Sequence, residues 1–167
     1  LDDAEGTLDD LTDGDTLIDL LDYLSVETGS DEIVFSGANR VVQSGAGSTD
    51  AAVNGLGNLV LGYDEDDGGD TKTGSHNLVL GVEHSYESYG GIVSGIDNRI
   101  AGSYASVIAA EDSNATGDQG IVLTGSFNGA SGDGAAVLGG SYNIGWVPSD
   151  TVVGGYVNEC IVERLNL

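Results

Sequence analysis

The sequence predicts an all-β chain built as a parallel β-solenoid, and three observations predict it. A short apolar run closed by a small residue returns along most of the 167 residues. An asparagine follows that small residue at a nearly constant distance. Glycine is abundant, at 28, while proline occurs once. That balance suits many tight corners whose backbone N–H groups are all needed.

The apolar runs are Asn58-Leu-Val-Leu-Gly62, Asn77-Leu-Val-Leu-Gly81, Gly91-Ile-Val-Ser-Gly95, Ser106-Val-Ile-Ala-Ala110, Gly120-Ile-Val-Leu-Thr-Gly125, Ala136-Val-Leu-Gly139 and Thr151-Val-Val-Gly154. Each is short and rich in β-branched residues, which fits a strand rather than a helix. Asn98, Asn114, Asn128, Asn143 and Asn158 are spaced by 16, 14, 15 and 15 residues, so the repeat is about fifteen residues long. A unit this short is too small for a helical-pair repeat or a propeller blade. It suits two short strands and two corners, with glycine at the corners and asparagine tolerating left-handed backbone geometry there. One such coil cannot bury its apolar face alone, so coils stack, with ladders of Val, Leu and Ile inside and of Asn at the corners. The longer steps, 19 residues from Asn58 to Asn77 and 21 from Asn77 to Asn98, place extra residues in 63–73 and 82–89. Both segments read as loops extruded from the stack.

The chain divides into three parts. Residues 51–167 form the roll of repeats. Residues 26–50 form a β connector, with short strands over Glu32–Gly37 and Asn39–Gly45. Residues 1–25 differ: Leu1, Ala4, Leu8, Leu11 and Ile18 follow a heptad-like spacing, and Leu17, Leu21 and Leu24 a second phase. Asp13 or Asp15 is positioned to cap a short helix over Thr16–Leu24. Alone, such a helix is marginal in water. It gains stability either as a trimeric coiled-coil seam with two other copies or as a single amphipathic helix capping one end of the roll.

Charge narrows the choice of partners. The chain carries 28 acidic and 4 basic residues, a formal charge of −24. Nucleic acid is not an expected partner, because phosphate binding needs clustered Lys and Arg; anionic membranes are disfavoured for the same reason. Self-repulsion at this density is relieved by salt or divalent cations; the competing reading is a solubilising surface. The single cysteine, Cys160, excludes an intrachain disulfide and reads as a small buried hydrophobe or as a thiol near a trimer axis. No apolar run approaches the roughly 18 residues of a membrane span, so no direct membrane insertion is expected of this segment. The chain begins at Leu1 and contains no methionine, which suggests a processed product or a piece of a longer protein.

Asn58-Leu-Val-Leu-Gly62 and Asn77-Leu-Val-Leu-Gly81 resemble the repeat of trimeric autotransporter adhesin heads, which has the form Asn-Ser-Val-Ala-Ile-Gly. The segment Ala101-Gly-Ser-Tyr-Ala-Ser-Val107 is similar to a second flavour of that repeat, echoed by Ala136-Val-Leu-Gly-Gly140 and Asn143. The resemblance covers about residues 51–160. It implies a left-handed parallel β-roll, homotrimeric, at the bacterial cell surface and preceded by a coiled coil. The function it implies is extracellular attachment to a cell-surface or matrix protein or glycan. The alternative is a structural spacer or subunit of an extracellular or phage-like tail fibre with no ligand of its own. The chain departs from the family pattern in its two inserted segments, and no membrane-anchor barrel is visible in it.

Three groups of residues are candidates for a site. Asp64, Asp66 and Asp70, with Gly69 among them, imitate the first half of a calcium loop, since calcium takes six to eight oxygen ligands. The twelfth position is Ser75 rather than Glu, and a solvated acidic loop is the competing reading. Tyr86, Tyr89 and His84, in the second inserted segment, are the expected contacts to a target, because amphipathic aromatics favour recognition surfaces. Tyr86 and Tyr89, with Tyr63, Tyr104, Tyr142, Tyr156 and Trp146, read alternatively as contacts between rolls. Three copies of His76 or His84 around a trimer axis would suit zinc, against local hydrogen bonding. No enzyme is expected. The two histidines share one irregular stretch, no Gly-x-Ser-x-Gly sits in a strand–helix context, and carboxylates are too common to mark a glycosidase pair.

Overall fold

The computed structural model describes residues 22–160. The chain forms two compact units, Leu1–Val41 and Val42–Leu167, each taken by itself.

In the first unit, Leu24–Glu27 pairs antiparallel with Glu32–Phe35, Leu24 opposite Phe35. Thr28-Gly29-Ser30-Asp31 supplies the turn, and Asp31 takes a positive φ of 55°, which aspartate tolerates better than most residues. Ser36 N donates to Tyr23 O at 2.8 Å beyond the strands, and Arg40 lies over the Phe35 ring at 4.2 Å. Of the two short strands expected in the connector, the first forms as Glu32–Phe35 within this hairpin, and 39–45 contains no strand. The physical reason is the strong turn at 28–31, which closes a short loop to the preceding segment. Of the helix expected over Thr16–Leu24, residues 22–24 are turn and strand, and among the described residues there is no helix. Residues 1–21, with the expected coiled coil, lie outside the described residues, as does the side chain of Cys160.

The second unit is a parallel β-solenoid. One side is an eight-stranded sheet that begins with Leu59–Leu61, Leu78–Val82, Ile92–Ile96 and Ser106–Glu111. It continues through Ile121–Val122, Ala136–Val137 and Thr151–Val152, with Gly125–Ser126 pairing beside Ser106–Glu111. The other side is a six-stranded sheet of Ser85–Tyr86, Arg99–Ile100, Asn114–Ala115, Gly129–Ala130, Ile144–Gly145 and Glu159–Cys160. The coils return through turns such as Val147–Asp150, closed by Asp150 N to Val147 O at 3.2 Å. The one proline, Pro148, occupies the second position of that turn, where its fixed φ fits.

Register explains the core. Val79, Val93, Val107, Val122, Val137 and Val152 stand in one column, all buried. Opposite them Tyr86, Ile100, Ala115, Ala130 and Gly145 form a second column. Its side chains shrink along the stack, and the return turns compensate. A Cβ on Gly91 would meet Ile100 Cδ1, and one on Gly145 would crowd Ala135 and Asp150. At both ends of the stack the glycine thus lets its neighbours fill the interior, as close packing requires. At Gly95 (φ 119°) and Gly125 (φ 95°) a Cβ would strike the carbonyls of Ala110 and Gly140 in the next coil.

A third column, buried except at its last member Asn158, closes the corners. Asn98, Asn128, Asn143 and Asn158 each donate from Nδ2 to the carbonyl four residues earlier, at 3.0–3.1 Å. Asn143 Oδ1 accepts from Asn158 N (3.0 Å) and Nδ2 (2.9 Å). Asn143 N and Nδ2 in turn donate to Asn128 Oδ1. The column continues through other residue types. Ser113 Oγ accepts from Asn128 N at 3.1 Å. His84 Nδ1 accepts from Asn98 N at 3.2 Å, and its Nε2 lies 3.1 Å from Leu80 O, four residues back. Asp64 Oδ1 accepts from His84 N at 3.3 Å.

This column corrects the spacing read from the asparagines. Ser113, not Asn114, belongs to it, so the uneven steps of 16 and 14 are two steps of 15. Asn77 lies in another ladder, joining Asn58 to Gly91 N. The 82–89 segment is therefore not an extruded loop, because Ser85–Tyr86 pairs in register with Arg99–Ile100. Its coil is 14 residues, Leu78 to Ile92. Later coils gain one residue at a bulge between Val93 and Gly95, opposite Ala109, whose φ is 51°.

The column dictates the response to substitution. Asn143→Ala removes bonds to both neighbouring coils and is expected to cost about 3 kcal/mol in urea unfolding. His84→Asn keeps the donor and acceptor and should cost less than about 1 kcal/mol, whereas His84→Leu should lose about 2–3 kcal/mol.

Candidate functional site

The step from Leu59 to Leu78 is 19 residues, so this coil carries five residues more than the 14 of the next. Asp64 turns inward. Lys72 Nζ lies 3.0 Å from its Oδ2 and donates to its backbone carbonyl. Burial, then the Asp64 charge and a hydrogen bond to that carboxylate, push the Tyr86 hydroxyl above its ordinary range. Asp64 is thus a structural member of the corner column, with its charge already met by Lys72.

Asp66, Asp67 and Asp70 come together instead, one carboxylate oxygen of each lying within 4.8 Å of the others. Asp66 Oδ1 accepts from Gly68 N at 2.7 Å and Asp67 Oδ1 from Gly69 N at 3.0 Å. The Gly68 N–H holds the Asp66 carboxyl below the usual range. Asp70 behaves oppositely: burial pushes it up, partly offset by Lys72, with Asp66 and Asp67 adding to the rise. Its side chain is only 6% exposed. Oδ1 accepts from Ser85 Oγ at 3.4 Å. Oδ2 is buried with no hydrogen-bond donor, and Lys72 Nζ stands 3.9 Å away.

The residues expected to touch a target lie elsewhere than anticipated. His84 is fully buried and Tyr86 is part of the core. Tyr89 is half-buried, edge-on against Tyr104 at 5.2 Å. Both ring nitrogens of His84 are engaged in the corner column, and His76 Nε2 accepts from Ser44 N at 3.0 Å. His84 therefore offers no free nitrogen to a metal.

A second acidic feature was not singled out from the sequence. Asp97 and Asp112 occupy successive corners with φ of 51° and 48°. They border a shallow groove of about 430 Å³ with Arg99, Ser113, Asn114, Thr116 and Ser131. Desolvation, then the hydrogen bond and charge of Asp112, raise the Asp97 carboxyl above its ordinary value; Asp67 adds to this and His84 opposes it. Arg99 binds Glu87 through Nε (2.6 Å) and Nη2 (3.2 Å), which raises the guanidinium further. Only the coil spacing between Asp97 and Asp112 signalled this pair. In later coils the same corner holds Phe127 and Tyr142, stacked at 4.8 Å and 7°; Tyr156 meets Tyr142 edge-on at 5.7 Å.

The outer face of the eight-stranded sheet has a different character. The residues flanking the core valines point outward by strand alternation. They run from Leu59 and Leu61 through Leu123 and Leu138 to Thr151 and Val153, and none is charged. Leu61, Leu123, Leu138 and Val153 are exposed.

Compared with protein-family models, curated proteins and solved structures, the chain finds no match. Among the described residues no helix is long and apolar enough to cross a membrane.

The Asp97–Asp112 pair makes a pH prediction. An acid whose folded pKa is raised binds its proton more readily folded than unfolded, so stability is lost as pH rises through the folded value. Asp97 and Asp70 should therefore give a melting temperature that climbs as pH falls from 7 toward the ordinary aspartate value of 3.8. Asp97→Asn should melt higher than the parent at pH 7 and show a flatter profile by calorimetry.

Proposed function

We propose that this chain is a segment of an extracellular homotrimeric fibre at a bacterial surface that mediates attachment, its left-handed rolls packed side by side through the outer apolar face. The observation that carries the reading is the uncharged stripe on the eight-stranded sheet, in a chain with 28 acidic residues. Exposed branched aliphatics in a contiguous band mark an interaction surface, and covering them is worth roughly 25 cal/mol per Å². Acids confined to corners, the insert and other faces keep such rolls apart except along that band. The resemblance to adhesin heads supports the same arrangement and a coiled-coil stalk.

A specific observation favours the structural alternative, a fibre spacer with no ligand of its own. His84 and Tyr86 lie inside the roll, so neither reaches a target while the fold is intact. Under the attachment reading the contact surface is then the 63–73 insert, where Tyr63 is 93% exposed, and the aromatic corner of Phe127 and Tyr142.

Light scattering tests the assembly. The expected molar mass is three times the chain's 16.9 kDa. The double variant Leu123→Glu/Leu138→Glu should be monomeric with an unchanged circular dichroism spectrum. A monomeric parent chain in both high and low salt would overturn the trimer. Replacing residues 65–69 by a short turn together with Tyr63→Ser, which keeps Asp64 and Lys72, separates the two functional readings: attachment is lost if the chain is adhesive and unchanged if it is a spacer.

A further inference from the structure

We infer that Asp66, Asp67 and Asp70 bind a hard divalent cation, of which calcium fits best, and that this ion clamps the inserted loop onto the roll. Three observations carry it, and none depends on the oligomeric state.

The first is charge. Lys72 is committed to Asp64, which it meets at 3.0 Å and through the backbone carbonyl. The remaining three carboxylates converge within 4.8 Å, and the cation near them, Lys72 Nζ, is shared with Asp64 and stands 3.9 Å from Asp70 Oδ2, beyond hydrogen-bond distance. Mutual repulsion of that kind is relieved by an ion held between them.

The second is the orphaned atom. Asp70 Oδ2 is buried and receives no hydrogen bond, on a side chain 6% exposed. A buried carboxylate oxygen without a donor is costly, and a ligated cation satisfies it. The exposed turn residues Asp66 and Asp67 then close the ion from the solvent side.

The third is the anchoring of Asp70. Ser85 Oγ donates to its Oδ1 and accepts from Thr71 N at 3.0 Å, and Ser85 belongs to the six-stranded sheet. An ion shared by Asp70 and the 66–67 turn therefore fastens the loop tip to the sheet. Three carboxylates supply part of a calcium shell of six to eight oxygens, with water and loop carbonyls completing it. Affinity should fall in the range of extracellular modules, roughly 10⁻⁴–10⁻³ M, and magnesium, which dehydrates reluctantly, should bind more weakly. The ligand set differs from the sequence expectation in one member: Asp67 takes the place of Asp64.

The test uses the full chain, dialysed against chelator and titrated with calcium chloride by calorimetry. Terbium luminescence excited through tyrosine gives a second readout. One saturable site per chain is expected, weakened at least tenfold in Asp70→Asn and in Asp66→Asn/Asp67→Asn, and unchanged in Asp133→Asn, an exposed acid elsewhere on the roll. Calcium should raise the melting temperature of the parent chain but not of these variants. The double variant alters only the exposed turn, so it decides the matter even if Asp70→Asn perturbs folding. The inference is overturned by no saturable binding up to about 10 mM calcium. It is equally overturned if Asp133→Asn weakens binding as much as the double variant, which would mean diffuse counterion attraction.

Discussion

The roll depends on satisfying the backbone at sharp, buried corners. Each corner turns through a residue with positive φ, from Asp97 to Tyr142, and leaves N–H and carbonyl groups that no strand partner can reach. The interior column supplies the missing partners. An asparagine side chain has two donor hydrogens and one acceptor oxygen. In Asn143 these reach the carbonyl of its own coil, the carbonyl of Gly155 in the next, and the neighbouring asparagines on both sides. A coil is therefore not closed until its neighbours are present, which makes stacking obligatory rather than merely favourable. Position matters more than residue type in this column. His84 serves because a neutral imidazole offers one donor and one acceptor, and Asp64 serves at the end because its charge is met by Lys72.

That demand also organises the surface. With the core limited to valines on one side and progressively smaller residues on the other, little interior apolar area is available per coil. Leucines such as Leu61, Leu123 and Leu138 lie on the outer face of the larger sheet, Phe127 and Tyr142 stack at a corner, and acids such as Asp97, Asp112 and Asp66 stand at corners and in the insert. Where acids stack coil upon coil, as at Asp97 and Asp112, desolvation, joined by the hydrogen bond and charge of the neighbouring acid, raises the Asp97 carboxyl above its ordinary value. Where the chain has room to loop out, they gather at Asp66, Asp67 and Asp70. Both outcomes follow from placing many like charges on a repeat whose equivalent positions are stacked on one another.

The repeat itself was legible in the sequence. A fifteen-residue period, β-branched runs ending in glycine and recurring asparagine sufficed for a parallel solenoid and for the valine ladder, because each coil sees the same surroundings and local pattern reports global position. Legibility failed where one residue type stood in for another. Asn114 lies one residue from the column and was read into it, while Ser113, His84 and Asp64, which occupy it, carry no asparagine to announce them. That substitution made 82–89 resemble a loop and put Tyr86 and His84 on the surface when both are inside. The hairpin at Leu24–Phe35 lies outside the repeat, so no periodic signal announces which segments pair across the turn at 28–31.

By itself, then, the sequence determined the period, the strands that carry the valine ladder and the excess of negative charge, since these are properties of composition and spacing. Only the tertiary structure decided which side chains share a column and which acids meet. Those depend on register between coils, and a single extra residue, such as the bulge opposite Ala109, shifts every later pairing. The turn at Gly68 and Gly69 likewise exchanged Asp67 for Asp64 in the carboxylate cluster, because Asp64 was already held inside the roll by His84 and Lys72.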